Sequence, residues 1–231
     1  MKTVENEMTY RVGLTTMADF LLASGLAKVD VVDRYIANQE RGYNAGSDFY
    51  REFRTLVKAA HRAKRTAAAI HDIPNHVASS KRQSYDLLCK GYYRFWAREF
   101  QEQAPVWLGG RRLALSLGRL TVSVAPELGF GTSFGKHYVK MYTKNPEPHP
   151  SAIETVLHLM QMAFWLDPRS TGAFPSLSFL DVRRGRLFLS TTFDERYEVL
   201  VRSEALSFAK MADEAARLRA KRQMIEESNL T

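Results

Sequence analysis

The segments LALSLGRLTVSV, residues 113–124, and APELGFGTSFGKHYVKMYT, residues 125–143, decide the fold that the sequence predicts. In the first segment, leucine and valine alternate with small or polar residues on both sides of Gly118-Arg119. This pattern is typical of a β-hairpin, because successive side chains of a strand point to opposite faces of the sheet. In the second segment, a glycine-rich stretch over 129–135 leads into a third strand, His137 to Thr143. We expect that stretch to be a flexible connection whose glycines adopt positive φ.

A helix and a second hairpin follow the third strand. The helix is predicted to open at Ser151, with Glu154 three residues later in the position that a capping box requires. Strands are then expected over Leu177–Val182 and Arg186–Ser190, joined by a turn at Arg183-Arg184-Gly185. This part of the chain therefore predicts a small mixed sheet that is flanked by helices.

The N-terminal part has helical periodicity instead. Apolar residues recur at helical spacing from Thr15 to about Phe100, with breaks at Gly25, at Gly42–Gly46 and at Pro74. Four helices are expected there, the third of them ending just before the proline.

The length and composition allow a sizeable core. The chain has 231 residues, of which 45% are apolar. We predict an α+β fold in which an N-terminal helical region packs on a small mixed β-sheet flanked by helices. The expected domains are residues 1–104, the helical region with basic faces, and residues 105–231, the mixed region with a C-terminal helix.

Several classes of protein are disfavoured. Cys89 is the only cysteine, which excludes an internal disulfide framework and favours a reduced, cytoplasmic location. Residues Met1 to Gly13 contain two glutamates and no apolar core, so we expect a flexible tail and no secretory signal. The most apolar run, Val156 to Leu166, is far shorter than the roughly 20 residues of a membrane span, so no membrane partner is expected.

The formal charge of +8 favours an acidic partner. The third predicted helix carries cations three or four residues apart on one face, and the fourth adds more. Such a face can follow the phosphates of a nucleic acid, with DNA favoured, without reading its sequence. A solvated helix face in a basic protein is the competing interpretation. The candidate nucleic-acid-binding residues are Arg51, Arg54, Lys58, Arg62, Arg65, Lys90, Arg94 and Arg98.

Aromatic residues lie among these cations and offer rings on which unpaired bases can stack. We expect Phe95 and Trp96 to pack in the core, and Tyr85 or Tyr93 to be the surface contacts.

A second candidate site combines one acid and one lysine on neighbouring strands. Glu127 follows Pro126, and Lys140 lies on the third strand. The order of helix, three-strand meander, helix and strand, with Pro126-Glu127 and then Tyr138-Val139-Lys140, resembles the PD-(D/E)XK nuclease superfamily, in particular its RecB-like members. The resemblance implies that Glu127, and Asp181 as a migrated acid, hold Mg²⁺ while Lys140 stabilises the phosphate in the transition state.

The resemblance also has a clear departure. Tyr138 stands where the second acid of the motif belongs, and a phenol is a poor ligand for magnesium. We therefore expect a catalytically degenerate core, with a Mg-dependent nuclease as the alternative. For Asp181, an ion pair with Arg183 or Arg186 on an edge strand is the competing interpretation.

Other sites are disfavoured by their context. Residues Gly131 to Gly135 fit the G-x-S-x-G pattern of serine hydrolases, but a strand is predicted after them where that motif needs a helix. The six histidines have no metal-ligand spacing, so no structural zinc site is expected. The remaining alternative is a non-catalytic interaction subunit, or a homo-oligomer, that docks through the last helix and a helix with Met160 and Met162.

Overall fold

The computed structural model describes residues 8–42, 48–64, 67–100, 105–170 and 172–228. It has the predicted α+β fold, with two mixed β-sheets. Contacts group the chain into two compact units, each built from separate segments. The first unit contains Met1–Asn44, Ala114–Val124 and Asp194–Thr231, and the second contains Ala45–Leu113 and Ala125–Phe193. The division that the sequence predicts, at residue 104, separates a helical region from a mixed region along the chain. The two units defined by contacts combine separate segments and do not divide the chain at that position.

The helices are α1 (Leu14–Leu22), α2 (Leu26–Glu40), α3 (Arg51–Arg62), α4 (Ala67–His71), α5 (Ser79–Phe100), α6 (Pro150–Trp165) and α7 (Glu195–Ser228), and a short 3₁₀ helix covers Ile73–His76. The strands are β1 (Tyr10–Gly13), β2 (Val106–Trp107), β3 (Leu113–Leu117), β4 (Leu120–Val124), β5 (Leu128–Thr132), β6 (Gly135–Tyr142), β7 (Ser176–Asp181) and β8 (Arg186–Leu189). Within the described part of the chain, every helix is too short or too polar to span a lipid bilayer.

The first unit contains a three-stranded sheet in the order β1-β4-β3. Strand β1 runs parallel to β4, with Tyr10 opposite Leu120. The prediction of a flexible tail up to residue 13 is wrong for this strand. Tyr10 is buried, and its hydroxyl donates a 2.6 Å hydrogen bond to Asp213, which also accepts hydrogen bonds from Arg119. These long-range contacts hold β1 in place.

The second unit contains a five-stranded sheet in the order β2-β5-β6-β7-β8. Strands β6 and β7 are parallel and are joined through α6, whereas the pairs β5-β6 and β7-β8 are antiparallel. The expected three-strand meander is therefore divided between the sheets: β3 and β4 belong to the first sheet and β6 to the second. The crossing helix and the second hairpin lie where the sequence predicted them.

Strand β5 corrects the expectation of a flexible glycine-rich loop. Gly129 and Gly131 lie within β5. Among the glycines of this stretch, only Gly135, the first residue of β6, has a positive φ, of +114°. A Cβ atom on Gly129 would lie 2.1 Å from the carbonyl oxygen of Gly109. The glycine thus permits a close approach of the backbone leading from β2, where Leu108 N–H donates to the Gly129 carbonyl.

Helix ends also differ from the predictions. Helix α3 ends at Arg62, well before Pro74, and α4 forms separately. Helix α6 begins at Pro150, because proline is well suited to the first helical turn, and the imidazole of His149 accepts the hydrogen bond from the Ser151 N–H. The predicted helix start at Ser151 is therefore one position too late.

Helix α5 packs against one face of the second sheet, as its aromatic side predicted. Tyr92 and Phe95 are fully buried in a cluster with Val139 of β6, Leu180 of β7 and Val182, which directly follows β7. Helix α6 contacts the same sheet through β7, so the sheet lies between helices.

Candidate functional site

Glu127 and Lys140 meet on the second sheet. Because Leu128 pairs with Val139 in the antiparallel register of β5 and β6, the preceding Glu127 lies opposite Lys140. Lys140 Nζ is 2.5 Å from Glu127 Oε1, and the Met141 N–H donates a 2.9 Å hydrogen bond to Glu127 Oε2. Both carboxylate oxygens therefore have a donor, and the ion pair is only slightly exposed.

Asp181 lies apart from this pair. Its carboxylate is 1% exposed and accepts a 2.9 Å hydrogen bond from Arg184 Nη1. The alternative of an ion pair with Arg183 or Arg186 thus identified the correct turn but the wrong arginine. The expectation of an edge strand is wrong as well, because β7 lies between β6 and β8.

Tyr138, the residue at which the sequence departs from the nuclease motif, is part of the core. It is buried, and its ring centroid lies 4.9 Å from that of Phe164 in α6. In the part of the chain that the structure describes, no three His, Cys, Asp or Glu side chains converge to hold a metal ion. Because Lys140 already forms an ion pair with Glu127, a magnesium ion at Glu127 would have to displace Lys140 from the carboxylate.

The cations of α3 differ in their availability. Arg51 and Arg62 are exposed and Lys58 is half-buried, whereas Arg54 forms an ion pair with Asp48. Among the described residues, Lys58 and Arg62 form no ion pair. Arg65 lies outside the described residues.

The cations of α5 are engaged more closely with the protein itself. Lys90 forms a 2.7 Å ion pair with Asp86. Arg94 and Arg98 donate hydrogen bonds to the carbonyl oxygens of Arg183 and Gly185, at 2.9 and 3.1 Å. These two arginines therefore hold the β7–β8 turn against α5 in addition to presenting charge.

The two predicted surface tyrosines of α5 differ from each other. Tyr85 is fully buried and donates to the carbonyl oxygen of Phe49, so the expectation that it contacts a ligand is wrong. Tyr93 is exposed, as expected. Phe95 is buried and Trp96 packs against the same cluster, which confirms the interpretation that both are packing residues.

Positive charge is concentrated in the second unit. This unit contains 20 of the 33 lysines and arginines but 11 of the 25 acidic residues, a net charge of +9, whereas the first unit has a net charge of −1. The net positive charge of the chain therefore belongs to one compact unit.

One cationic and aromatic cluster was missed by the sequence reasoning. A cleft of about 350 Å³ at the end of α6 is lined by Arg111, Lys136, Trp165, Arg169 and Phe174, among others. These residues come from three parts of the chain, at Arg111, at Lys136 and between Phe164 and Pro175, so no single sequence motif contains them. The available signal was Trp165 itself, a large aromatic residue just before the helix-ending sequence Asp167-Pro168.

A larger groove of about 640 Å³ lies between α6 and β8, the last strand of the sheet. Its apolar surface includes Ile153, Leu157 and Phe188. Glu147 and Glu154 also line it, and Glu147 forms a 2.8 Å ion pair with Arg186. With acids present at its rim, this groove is a poor site for a polyanion.

Comparisons of the chain with models of protein families, with curated proteins and with solved structures find no match.

Proposed function

We propose that this protein binds nucleic acid through the surface of its second unit, with DNA as the favoured partner and the cytoplasm as its location. The observation that carries the proposal is the separation of charge between the units, +9 against −1. A phosphate backbone carries closely spaced negative charges that lysines and arginines can neutralise.

Individual cations of the second unit are ready to contact phosphates. Lys58 and Arg62 lie one helical turn apart on α3, and Arg82 is exposed on α5. Within the described residues, none of these three forms an ion pair, so a phosphate does not have to displace a carboxylate of that part of the chain. Contacts of this kind supply affinity without sequence readout.

Reversing these three charges is expected to weaken binding strongly. The combined variant Lys58→Glu, Arg62→Glu and Arg82→Glu should lower the affinity for duplex DNA roughly 10- to 100-fold and reduce the salt slope by about three, because fewer counterions are released. Fluorescence anisotropy of labelled DNA at two salt concentrations measures both quantities.

The matched control carries the same charge change in the first unit. Lys210→Glu, Lys221→Glu and Arg222→Glu alter three exposed cations of α7. This control should retain most of the affinity and the slope. Equal losses of DNA affinity in both variants would show that the net charge of the protein alone attracts the DNA. A wild-type affinity that does not change with salt concentration would contradict the proposal.

The enzymatic alternative depends on the contact between Glu127 and Lys140. Since Tyr138 replaces the second acid and the Glu127 oxygens already accept two hydrogen bonds, we expect DNA to remain intact with magnesium. The products are compared on a denaturing gel. Magnesium-dependent cleavage that disappears in Glu127→Gln would instead establish the nuclease.

A protein-interaction role is favoured by one feature of α7. Val199, Leu206, Met224 and other large apolar side chains of this helix are exposed. Met160 and Met162 are buried, so α6 does not present them to a partner. A stable oligomer in light scattering, combined with no affinity for nucleic acid at low salt, would favour this alternative.

A further inference from the structure

The cleft at the end of α6 combines exposed aromatic rings with cations. Trp165 is 73% exposed and Phe174 is 46% exposed, and their ring centroids lie 6.2 Å apart. The ring planes are inclined by 50°, so the two rings do not stack face to face, and most of the Trp165 side chain is exposed. A single exposed aromatic residue is common on protein surfaces, but two rings in contact beside a cleft need an explanation.

The charges around the cleft favour an anion. Arg111, Lys136 and Arg169 line it, whereas no Asp or Glu among the described residues does so. Asp167 lies next to the cleft and binds two of these cations, with Arg111 Nη2 at 2.6 Å and Arg169 Nε at 3.0 Å. Hydrogen bonds from Arg169 hold the pKa of Asp167 below its usual value, so this carboxylate remains ionised and orients both guanidinium groups.

The cations have different roles in this arrangement. Arg111 is fixed from two sides, because its guanidinium carbon also lies 5.3 Å from the centre of the Phe164 ring. Lys136 is exposed at the start of β6 and forms no ion pair with the described residues. The cleft therefore keeps a surplus of positive charge after Asp167 is counted.

We infer that this cleft binds an unpaired nucleotide of a single-stranded nucleic acid, with the base on Trp165 and the phosphate near Lys136 and Arg169. The inference rests on the proposed nucleic-acid binding and names the form of nucleic acid that this site takes. Bases within a duplex are stacked on one another and cannot reach an indole face, whereas unpaired bases can. The volume of about 350 Å³ is at the small end of the range for ligand sites, as suits one base.

An oligonucleotide without bases separates the contribution of the cleft from that of the phosphates. We compare a short oligothymidylate, the same sugar-phosphate chain with abasic sites throughout, and a duplex. The wild-type protein should bind the oligothymidylate about tenfold more tightly than the abasic chain, the expected effect of base stacking. Trp165→Ala should lower the affinity for oligothymidylate to the abasic level and leave the duplex affinity unchanged.

Two further variants control this result. Trp165→Phe keeps an aromatic face and should retain most of the affinity, while losing the quenching of tryptophan emission that stacking on Trp165 causes. Tyr93→Ala removes an exposed ring from α5, outside the cleft, and should have a smaller effect. Because Trp165 is largely exposed, its replacement is not expected to unfold the protein.

The possible outcomes distinguish the two claims. One outcome is that the protein binds the duplex and the abasic chain, binds oligothymidylate no more tightly than the abasic chain, and is unaffected by Trp165→Ala. This outcome would overturn the inference but would leave the proposed function standing. No binding of any nucleic acid at low salt would overturn both. Displacement of oligothymidylate by a polyglutamate peptide, with the same sensitivity to Trp165→Ala, would assign the cleft to acidic peptides and overturn the inference.

Discussion

Gly91→Ala is expected to destabilise the protein by about 3 kcal/mol or more, although alanine is the better helix former by about 1 kcal/mol. Gly91 lies in the middle of α5, where this helix crosses the β7–β8 turn. A Cβ atom at this position would lie 1.8 Å from the carbonyl oxygen of Val182 and 2.6 Å from that of Arg183. Backbone atoms cannot rotate away as a side chain can, so the helix or the turn must move.

The other side of this contact also depends on glycine. Gly185 adopts a φ of +63°, and a Cβ atom there would lie 2.6 Å from the carbonyl oxygen of Gly91. Arg94 and Arg98 bind the same turn through its carbonyl oxygens. Displacing the turn therefore also breaks the hydrogen bonds of two arginines, which adds to the cost of overpacking.

Urea denaturation of the wild type and Gly91→Ala measures the free energy of unfolding. Gly13→Ala is the control, because Gly13 has a φ of −77° and a Cβ atom added there would meet no other atom within 4 Å. The control should remain within about 1 kcal/mol of the wild type. A Gly91→Ala protein that is as stable as the wild type would show that α5 and the β7–β8 turn are not packed this closely.

Elements with a strong local pattern were predictable from the sequence. The strands β3 and β4 followed from alternation on either side of Gly118-Arg119, and α6 was predicted from Ser151 and Glu154 to within one residue of its start. The contact of Glu127 with Lys140 depends only on two neighbouring strands in register, so a short motif was enough to suggest it.

Features that depend on distant segments were not predictable. Strand β1 is four residues long and pairs with β4, which lies more than 100 positions later in the chain. The glycines of β5 looked like a loop because the backbone that approaches Gly129 belongs to another segment, at Gly109. The cleft at Trp165 is likewise assembled from separate segments, and no spacing in the sequence records it.

Acid is expected to destabilise the second unit through His61. This residue of α3 is buried, and its ring stacks at 5.2 Å on Trp107 and lies 4.7 Å from Trp96. Its Nε2 atom is 2.6 Å from the hydroxyl oxygen of Tyr92. Burial lowers the pKa of His61 from 6.5 to about 4, because the apolar surroundings disfavour the charged imidazolium.

The sign of the effect follows from proton binding. Between pH 6.5 and about 4, His61 takes up a proton in the unfolded chain but not in the folded protein. Stability is therefore fully present above pH 6.5 and is lost as the pH falls towards 4, by about 3 kcal/mol for this residue alone. Other groups titrate in the same range, among them His137, whose pKa is also lowered by burial, so the contribution of His61 must be isolated by substitution.

His61→Gln isolates the contribution of His61, because glutamine does not titrate and can still form a hydrogen bond with the Tyr92 hydroxyl. The free energy of unfolding should fall less steeply between pH 7 and pH 4 in this variant than in the wild type, by about 3 kcal/mol in total. His76→Gln, which replaces an exposed histidine paired with Asp72, serves as the control for a histidine outside the core. Parallel curves for the wild type and His61→Gln would mean that His61 is protonated in the folded protein, which requires water or an acid to reach the ring between Trp96 and Trp107.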